Sequence, residues 1–314
     1  MKSATTYLAD LLREHPAVFM SSPKEPCYFV EEQVLRKVWP YMWGKGYWRS
    51  LDRYLELFAG AGDAKVIGEA STVYAKAPMF SGVPQRILEF SPGARFIYVM
   101  RDPIERAISH YWHRVRFWGE RRSLAAAIRF DPQYVDTSHY AMQLQQYLRY
   151  VPRERIFVLT CEDLLADSVG QLRRICSWLG IDASFRPGTL NVPTNVMPET
   201  FYQVRGSGTL ERLRRTEFYA KVEPYLPKSL RKMGARFAVR PVKPAEVPAG
   251  ASKDYLRTVL RPKTDELCRL LDRTFPEWTC LYDTDHSVVP PGGGGGVVGG
   301  RVARATRPLQ AAGP

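Results

Sequence analysis

The chain has 314 residues, 45% of them hydrophobic and 25% charged, which suits one large α/β domain or two small ones and excludes a mini-domain or a disordered chain. No apolar run approaches the roughly 20 residues of a spanning helix, and no apolar h-region follows Met1-Lys2-Ser3, so the expectation is a cytoplasmic protein without a membrane span. Forty-five Lys and Arg against 32 Asp and Glu leave a formal net charge of +13, which calls for an anionic partner without choosing among nucleic acid, lipid, nucleotide and acidic sugar.

From the start of the chain, Lys2, two small residues and the hydroxyls of Thr5 and Thr6 precede an amphipathic stretch in which Tyr7, Leu8, Leu11 and Leu12 share a helix face. A cation and hydroxyls at a helix N-terminus suit a phosphate or sulfate; equally, Thr5 and Thr6 could simply cap the helix. Short apolar runs follow at Val18–Met20, 65–68, Phe96–Met100 and 156–159, the pattern of strands covered on both faces. Asp102 and Pro103 are the expected N-cap and first residue of a helix carrying Ile104, Ala107, Ile108 and Tyr111. Leu172, Ile175, Cys176 and Leu179 repeat the stripe before Gly180 stops it. Strand–helix alternation implies a parallel sheet with helices on both faces, binding ligands beyond the carboxyl ends of its strands. Arg101 sits at such an end, with Ser109 two turns along the next helix; arginine offers a bidentate fork to phosphate, serine one more donor.

Towards the C-terminus, residues 205–261 hold 14 Lys and Arg against 5 Asp and Glu, and the segment after Ser287 adds Arg301, Arg304 and Arg307 without an acid. Pro241, Pro244, Pro248 and Gly250 mark 240–252 as a loop or linker within a domain spanning 1–286, and the Gly/Pro/Arg-rich stretch 287–314 reads as a disordered tail. The five cysteines show no CxxC spacing and no Cys/His cluster, which disfavours a disulfide framework or a structural zinc, with Cys268–Cys280 the one conceivable pair.

The run R-D-P-x-x-R-A-x-S-x-Y from Arg101 to Tyr111 resembles the phosphate-binding signature of the sulfotransferases that use 3′-phosphoadenylyl sulfate (PAPS), and K-S-A-T-T-Y-L from Lys2 resembles their 5′-phosphosulfate loop. Pro23–Phe29 and Gly68–Tyr74 resemble segments of the bacterial and glycosaminoglycan (heparan sulfate)-type branch. Tyr140 with Gln143, Glu162-Asp163-Leu164 and Trp178-Leu179-Gly180 are further landmarks, with a weaker echo between Leu267 and Trp278. The resemblance implies a P-loop-kinase-like α/β fold and transfer of a sulfuryl group from PAPS to an acceptor hydroxyl or amine, releasing adenosine 3′,5′-bisphosphate without a metal. It places Lys2, Ser3, Ala4, Thr5 and Thr6 around the phosphosulfate, Arg101 and Ser109 on the 3′-phosphate, Glu25 as base, and Lys24 beside it at the sulfate. His110, His113 and His139 are alternative bases, and Tyr28, Phe29, Trp39, Trp43 and Trp48 are candidate stacking surfaces for adenine or sugar.

Relatives of this kind have a hydrophobic first strand and a glycine-containing turn before the lysine, so this chain is expected to lack that strand, and Ala4 stands at the usual second glycine, tolerable only if φ there is not positive. A carbohydrate is the expected acceptor, an acidic saccharide being one form the basic stretch could receive; nucleic acid is not, because no nucleic-acid-binding signature accompanies that stretch. The alternatives are a P-loop nucleotide kinase, which needs a complete Walker A sequence that is missing here, and a non-catalytic anion- or polysaccharide-binding protein.

Overall fold

The computed structural model describes residues 2–190, 198–204 and 239–282, and these lie in one compact unit reaching Tyr282. The chain opens with α1 (Thr5–Arg13) and β1 (Val18–Met20), followed by three short helices, α2 (Glu32–Val38), α3 (Pro40–Lys45) and α4 (Leu51–Leu55). Strand β2 (Val66–Gly68), α5 (Val83–Phe90), β3 (Phe96–Met100) and the long α6 (Pro103–Phe117) come next. Helices α7 (Leu124–Phe130), α8 (Gln133–Asp136) and α9 (Tyr140–Leu148) lead to β4 (Ile156–Thr160), α10 (Cys161–Ala166) and α11 (Ser168–Leu179). Strands β5 (Phe201–Val204) and β6 (Val239–Val242), then α12 (Gly250–Leu271) and α13 (Thr279–Tyr282), complete the described part.

The architecture is α/β, with parallel pairs β1–β2 and β3–β4 and an antiparallel pair β5–β6. The expected central sheet takes the form of two parallel pairs that are not hydrogen-bonded to each other among the described residues. Alternation along β3 and β4 explains why both read as continuous apolar runs. Ile97, Val99, Phe157 and Leu159 face a core shared with α1 and α11, while Phe96, Tyr98, Met100, Ile156 and Val158 face a second core shared with α6, α9 and α12. Val18, Met20 and Val66 enter the first of these cores, so it joins both strand pairs. A third core, around Leu35, Met42, Tyr54, Val73 and Val83, carries α2 to α5.

Local signals set the helix ends. Asp102 Oδ1 accepts from the N–H groups of Ile104 and Glu105, capping α6 with Pro103 behind it. Gly180 ends α11 in the left-handed region at φ 77°. The proline-rich 240–252 stretch, expected as a loop or linker, starts in β6 and ends in α12 with a short 3-10 turn at Pro244–Glu246 between them; Pro241 stands opposite Tyr202 in a two-stranded ladder, whose edge tolerates a missing N–H. All five cysteines are free thiols, so Cys268 and Cys280 are not bridged. The expected 287–314 tail lies outside the described residues, as does the 205–238 part of the basic stretch.

Candidate functional site

Strand β3 delivers Arg101 to the sheet's carboxyl edge, and the surrounding fold grips the backbone there. Tyr140 Oη donates to the Arg101 carbonyl at 2.7 Å and receives the Arg101 N–H at 3.3 Å. Next along the chain, Asp102 N–H donates to Glu162 Oε1 at 2.9 Å, and Asp102 Oδ2 accepts from Leu281 N–H at 3.1 Å. Helices α9, α10 and α13 thereby converge on two consecutive residues. The Arg101 guanidinium is paired with Glu105 at 2.5 Å and reaches the Lys2 carbonyl at 3.5 Å, which joins the two motifs that stand 99 residues apart in sequence. Burial would lower its affinity for a proton, but the Glu105 bond more than offsets this and raises it.

At the N-terminal loop, α1 starts without a side-chain cap: Ala4 is the N-cap residue and its side chain has nothing to offer. Thr5 and Thr6 are therefore the first two helical residues rather than caps, and their N–H groups have no intrahelical acceptor. Ala4 adopts φ 56°, ψ 20°, contrary to the expectation that an alanine here keeps φ negative. The turn demands a left-handed residue whatever its side chain, and Cβ carries the cost. Lys2 (φ 67°), Glu25 (φ 65°) and Cys27 (φ 58°) share this conformation, so four of the five non-glycine residues with positive φ among those described lie in this site. Ser3 is buried.

Opposite the loop, the backbone of residues 24–27 bonds to the 70–72 segment after β2. Glu25 N–H donates to the Ala70 carbonyl at 3.1 Å, and Glu25 Oε2 accepts from Thr72 N–H at 2.7 Å and Thr72 Oγ1 at 3.2 Å. Glu25 Oε1 is paired with Lys24 Nζ at 3.0 Å, and the same ammonium lies 3.4 Å from Thr5 Oγ1. A carboxylate has about four lone-pair sites; three donors occupy it here, which leaves one site on Oε1. Lys24 likewise keeps one of its three N–H donors.

Cations dominate the field. Burial, then Arg101 and Arg116, lowers the Lys2 pKa, and burial holds Lys76 down to about 8, partly offset by Glu25. Burial together with Lys2 and Lys76 holds His113 down to about 4, so its ring is neutral at pH 7. Ser109 is buried on α6, one turn from both Glu105 and His113, so a single helix stripe follows the loop. Near Glu25 lies Glu69, whose two carboxyl oxygens are inaccessible to solvent. Burial pushes it up to about 7, against the facing hydroxyls of Tyr74 and Tyr54, with the Glu25 charge adding to the rise.

The structure thus brings Lys2, Thr5, Lys24, Glu25 and Arg101 together. His110, His139 and the aromatic candidates have other partners. His110 is buried against Arg106 and Tyr134, and His139 pairs with Glu266 at 3.0 Å. Tyr28 stacks on Tyr54 at 4.3 Å and Phe29 is buried in the third core. Trp39, Trp43 and Trp48 lie along α2–α3 and the loop after it, partly exposed. Thr72, Lys76 and Arg116 were not foreseen; only the i, i+7 spacing of Arg116 from Ser109 could have suggested one of them.

Comparison with known proteins identifies the family. The model of the sulfotransferase family matches residues 1–185. Human heparan sulfate glucosamine 3-O-sulfotransferase 6 is 29% identical over 188 residues, covering 57% of this chain and 50% of its own length. The bovine bifunctional heparan sulfate N-deacetylase/N-sulfotransferase 2 is 27% identical over 197 residues, covering 57% of this chain and 21% of its length. The chain thus spans half or less of these relatives. The crystal structure of a sulfotransferase from Alicyclobacillus acidocaldarius superposes with a TM-score of 0.57 at 21% identity, over 88% of this chain and 95% of that one, and shares the fold. With the family model matching more than half of its length, the chain belongs to the sulfotransferase family.

Proposed function

We propose that this protein transfers a sulfuryl group from PAPS to a hydroxyl or amine of a carbohydrate, releasing adenosine 3′,5′-bisphosphate. The observation that carries the reading is the contact of Arg101 with the Lys2 loop, which gives one pocket a cationic grip for each end of a doubly phosphorylated nucleotide. The unpaired N–H groups of Thr5 and Thr6, the α1 dipole and Lys2 face the 5′-phosphosulfate; Arg101 and Ser109 take the 3′-phosphate. The acceptor oxygen attacks sulfur in line, the bond from sulfur to the phosphate oxygen breaks, and Lys2 neutralises the charge that builds on that oxygen. The free lone pair on Glu25 Oε1 receives the acceptor's proton, while the remaining N–H of Lys24 stabilises the equatorial sulfuryl oxygens. The heparan sulfate relatives support a saccharide acceptor.

Titration with adenosine 3′,5′-bisphosphate and AMP tests the donor half. Wild type should prefer the bisphosphate by about 100-fold or more, the scale of one charge-assisted bidentate contact, and Arg101→Ala should abolish that preference. Equal affinity of the wild type for both nucleotides would overturn the reading.

A further inference from the structure

Residues 36–49 contain four cations, Arg36, Lys37, Lys45 and Arg49, five aromatic residues and no acid. Glu31, Glu32 and Asp52 flank them, which hides the cluster in any longer charge count. Folded into α2, α3 and the loop after them, these residues form a surface of unusual construction. The rings of Trp43 and Trp48 stack at 5.8 Å with planes 16° apart, locked by a 2.8 Å bond from Trp48 Nε1 to the Trp43 carbonyl. The Arg36 guanidinium lies 5.0 Å from the Trp43 ring, and that of Arg49 lies 5.7 Å from Trp43 and 5.4 Å from Trp48. Lys45 sits over Tyr41, which is 68% exposed. Among the described residues none of the four cations is in an ion pair. The inner edges of the tryptophans pack on the third core, so the platform is anchored.

The platform packs against the end of α6, the helix that follows Arg101. Trp39, between α2 and α3, packs on Trp118 at the end of α6 with ring centroids 5.9 Å apart. Two residues before Trp118, Arg116 acts electrostatically on Lys2. Glu25 stands only seven residues before α2.

We propose that this α2–α3 surface binds an acidic saccharide chain, carrying the acceptor away from Glu25 across Trp39 to Arg36 and Arg49. The proposal rests on the carbohydrate-acceptor reading above and extends it to a second, remote subsite. A guanidinium lying against an indole is held in place with its N–H edge turned outward, ready for bidentate bonds to sulfate or carboxylate. Positive charge without competing acids supplies the complementarity. A single-stranded nucleic acid would instead need open aromatic faces for its bases, and the faces of Trp43 and Trp48 are taken by each other and by the two arginines. A saccharide whose charge sits on its rim needs the donors alone.

The full chain is titrated with a sulfated octasaccharide of alternating uronic acid and glucosamine, with its desulfated counterpart, and with a twelve-residue oligothymidylate. Wild type should bind the sulfated octasaccharide best. Arg36→Ala with Arg49→Ala should raise that Kd at least about tenfold, as expected for two lost charge-assisted contacts. Arg36→Lys with Arg49→Lys should fall between, and affinity for adenosine 3′,5′-bisphosphate should not move in either double variant. No binding by wild type, an unchanged Kd in the double alanine variant, or tighter binding of the oligothymidylate would each overturn the surface. Sulfuryl transfer to the octasaccharide with an unmoved KM in the double variant would likewise remove the surface and leave the activity standing. Conversely, absence of transfer to any acceptor, with the tenfold loss in Kd intact, would overturn the activity and leave the surface.

Discussion

Glu25 occupies a left-handed backbone position and still accepts three hydrogen bonds, from Lys24 and twice from Thr72. Such over-determination keeps one lone pair aimed outward at the expense of backbone strain. Glu25→Gln keeps the shape but removes the proposed proton acceptor, so kcat should fall by about 10²- to 10⁴-fold, the usual range for a general base, while nucleotide affinity stays within about twofold. Turnover at the wild-type rate would show that the acceptor's proton leaves by another route. Ala4 offers a test of strain alone. Ala4→Gly relieves a left-handed Cβ worth about 1–2 kcal/mol against a glycine entropy cost of about 0.5–1 kcal/mol, so the variant should gain about 0.5–1 kcal/mol in denaturant unfolding. A loss would mean the strain has been relieved elsewhere in the loop.

At the scale of elements, the landmarks that sequence alone leaves without a role acquire one. Tyr140 on α9 brackets the Arg101 peptide from both sides, Glu162 on α10 holds the Asp102 N–H, and Gln143 bonds both the N–H and the carbonyl of Ala77 at 2.9 Å. They position the arginine and the 70–77 segment through their backbone. Tyr140→Phe removes one buried hydroxyl with two partners, which should cost about 1–3 kcal/mol of stability and loosen the Arg101 backbone. Affinity for adenosine 3′,5′-bisphosphate should then drop several-fold while AMP affinity holds, since only the 3′-phosphate depends on Arg101. Equal losses for both nucleotides would point to a general loosening instead.

Across the whole molecule, the pH response should carry the mark of Glu69. At pH below 4.5, its ordinary value, Glu69 is protonated in both the folded and the unfolded chain, and the native proton affinity has no effect. As pH rises towards about 7 the unfolded chain releases this proton while the folded chain keeps it, so stability falls. Above pH 7 the penalty is complete, on the order of 3 kcal/mol from about 1.4 kcal/mol per pKa unit. Glu69→Gln should therefore flatten the decline in Tm between pH 5 and pH 8 and be the more stable protein at pH 8. An unchanged slope would assign the pH dependence to other groups.

Period and punctuation were legible in the amino-acid order. The four parallel strands, the Asp102–Pro103 start of α6 and the Gly180 stop follow from rules acting within a few residues, and they appear where those rules put them. The same local rules marked the Lys2 loop and Arg101 as candidate anion-binding segments, and the structure brings the two into contact. What the chain order could not decide is anything that depends on who meets whom across space. The left-handed Ala4, the Thr72 clamp on Glu25, the approach of Arg116 to Lys2 and the arginine–tryptophan platform of α2–α3 all arise from contacts between segments, or from burial that only packing creates. Local propensity sets an element's type at a scale of about one kcal/mol per residue, whereas charge, strain and proton affinity answer to the full three-dimensional surroundings.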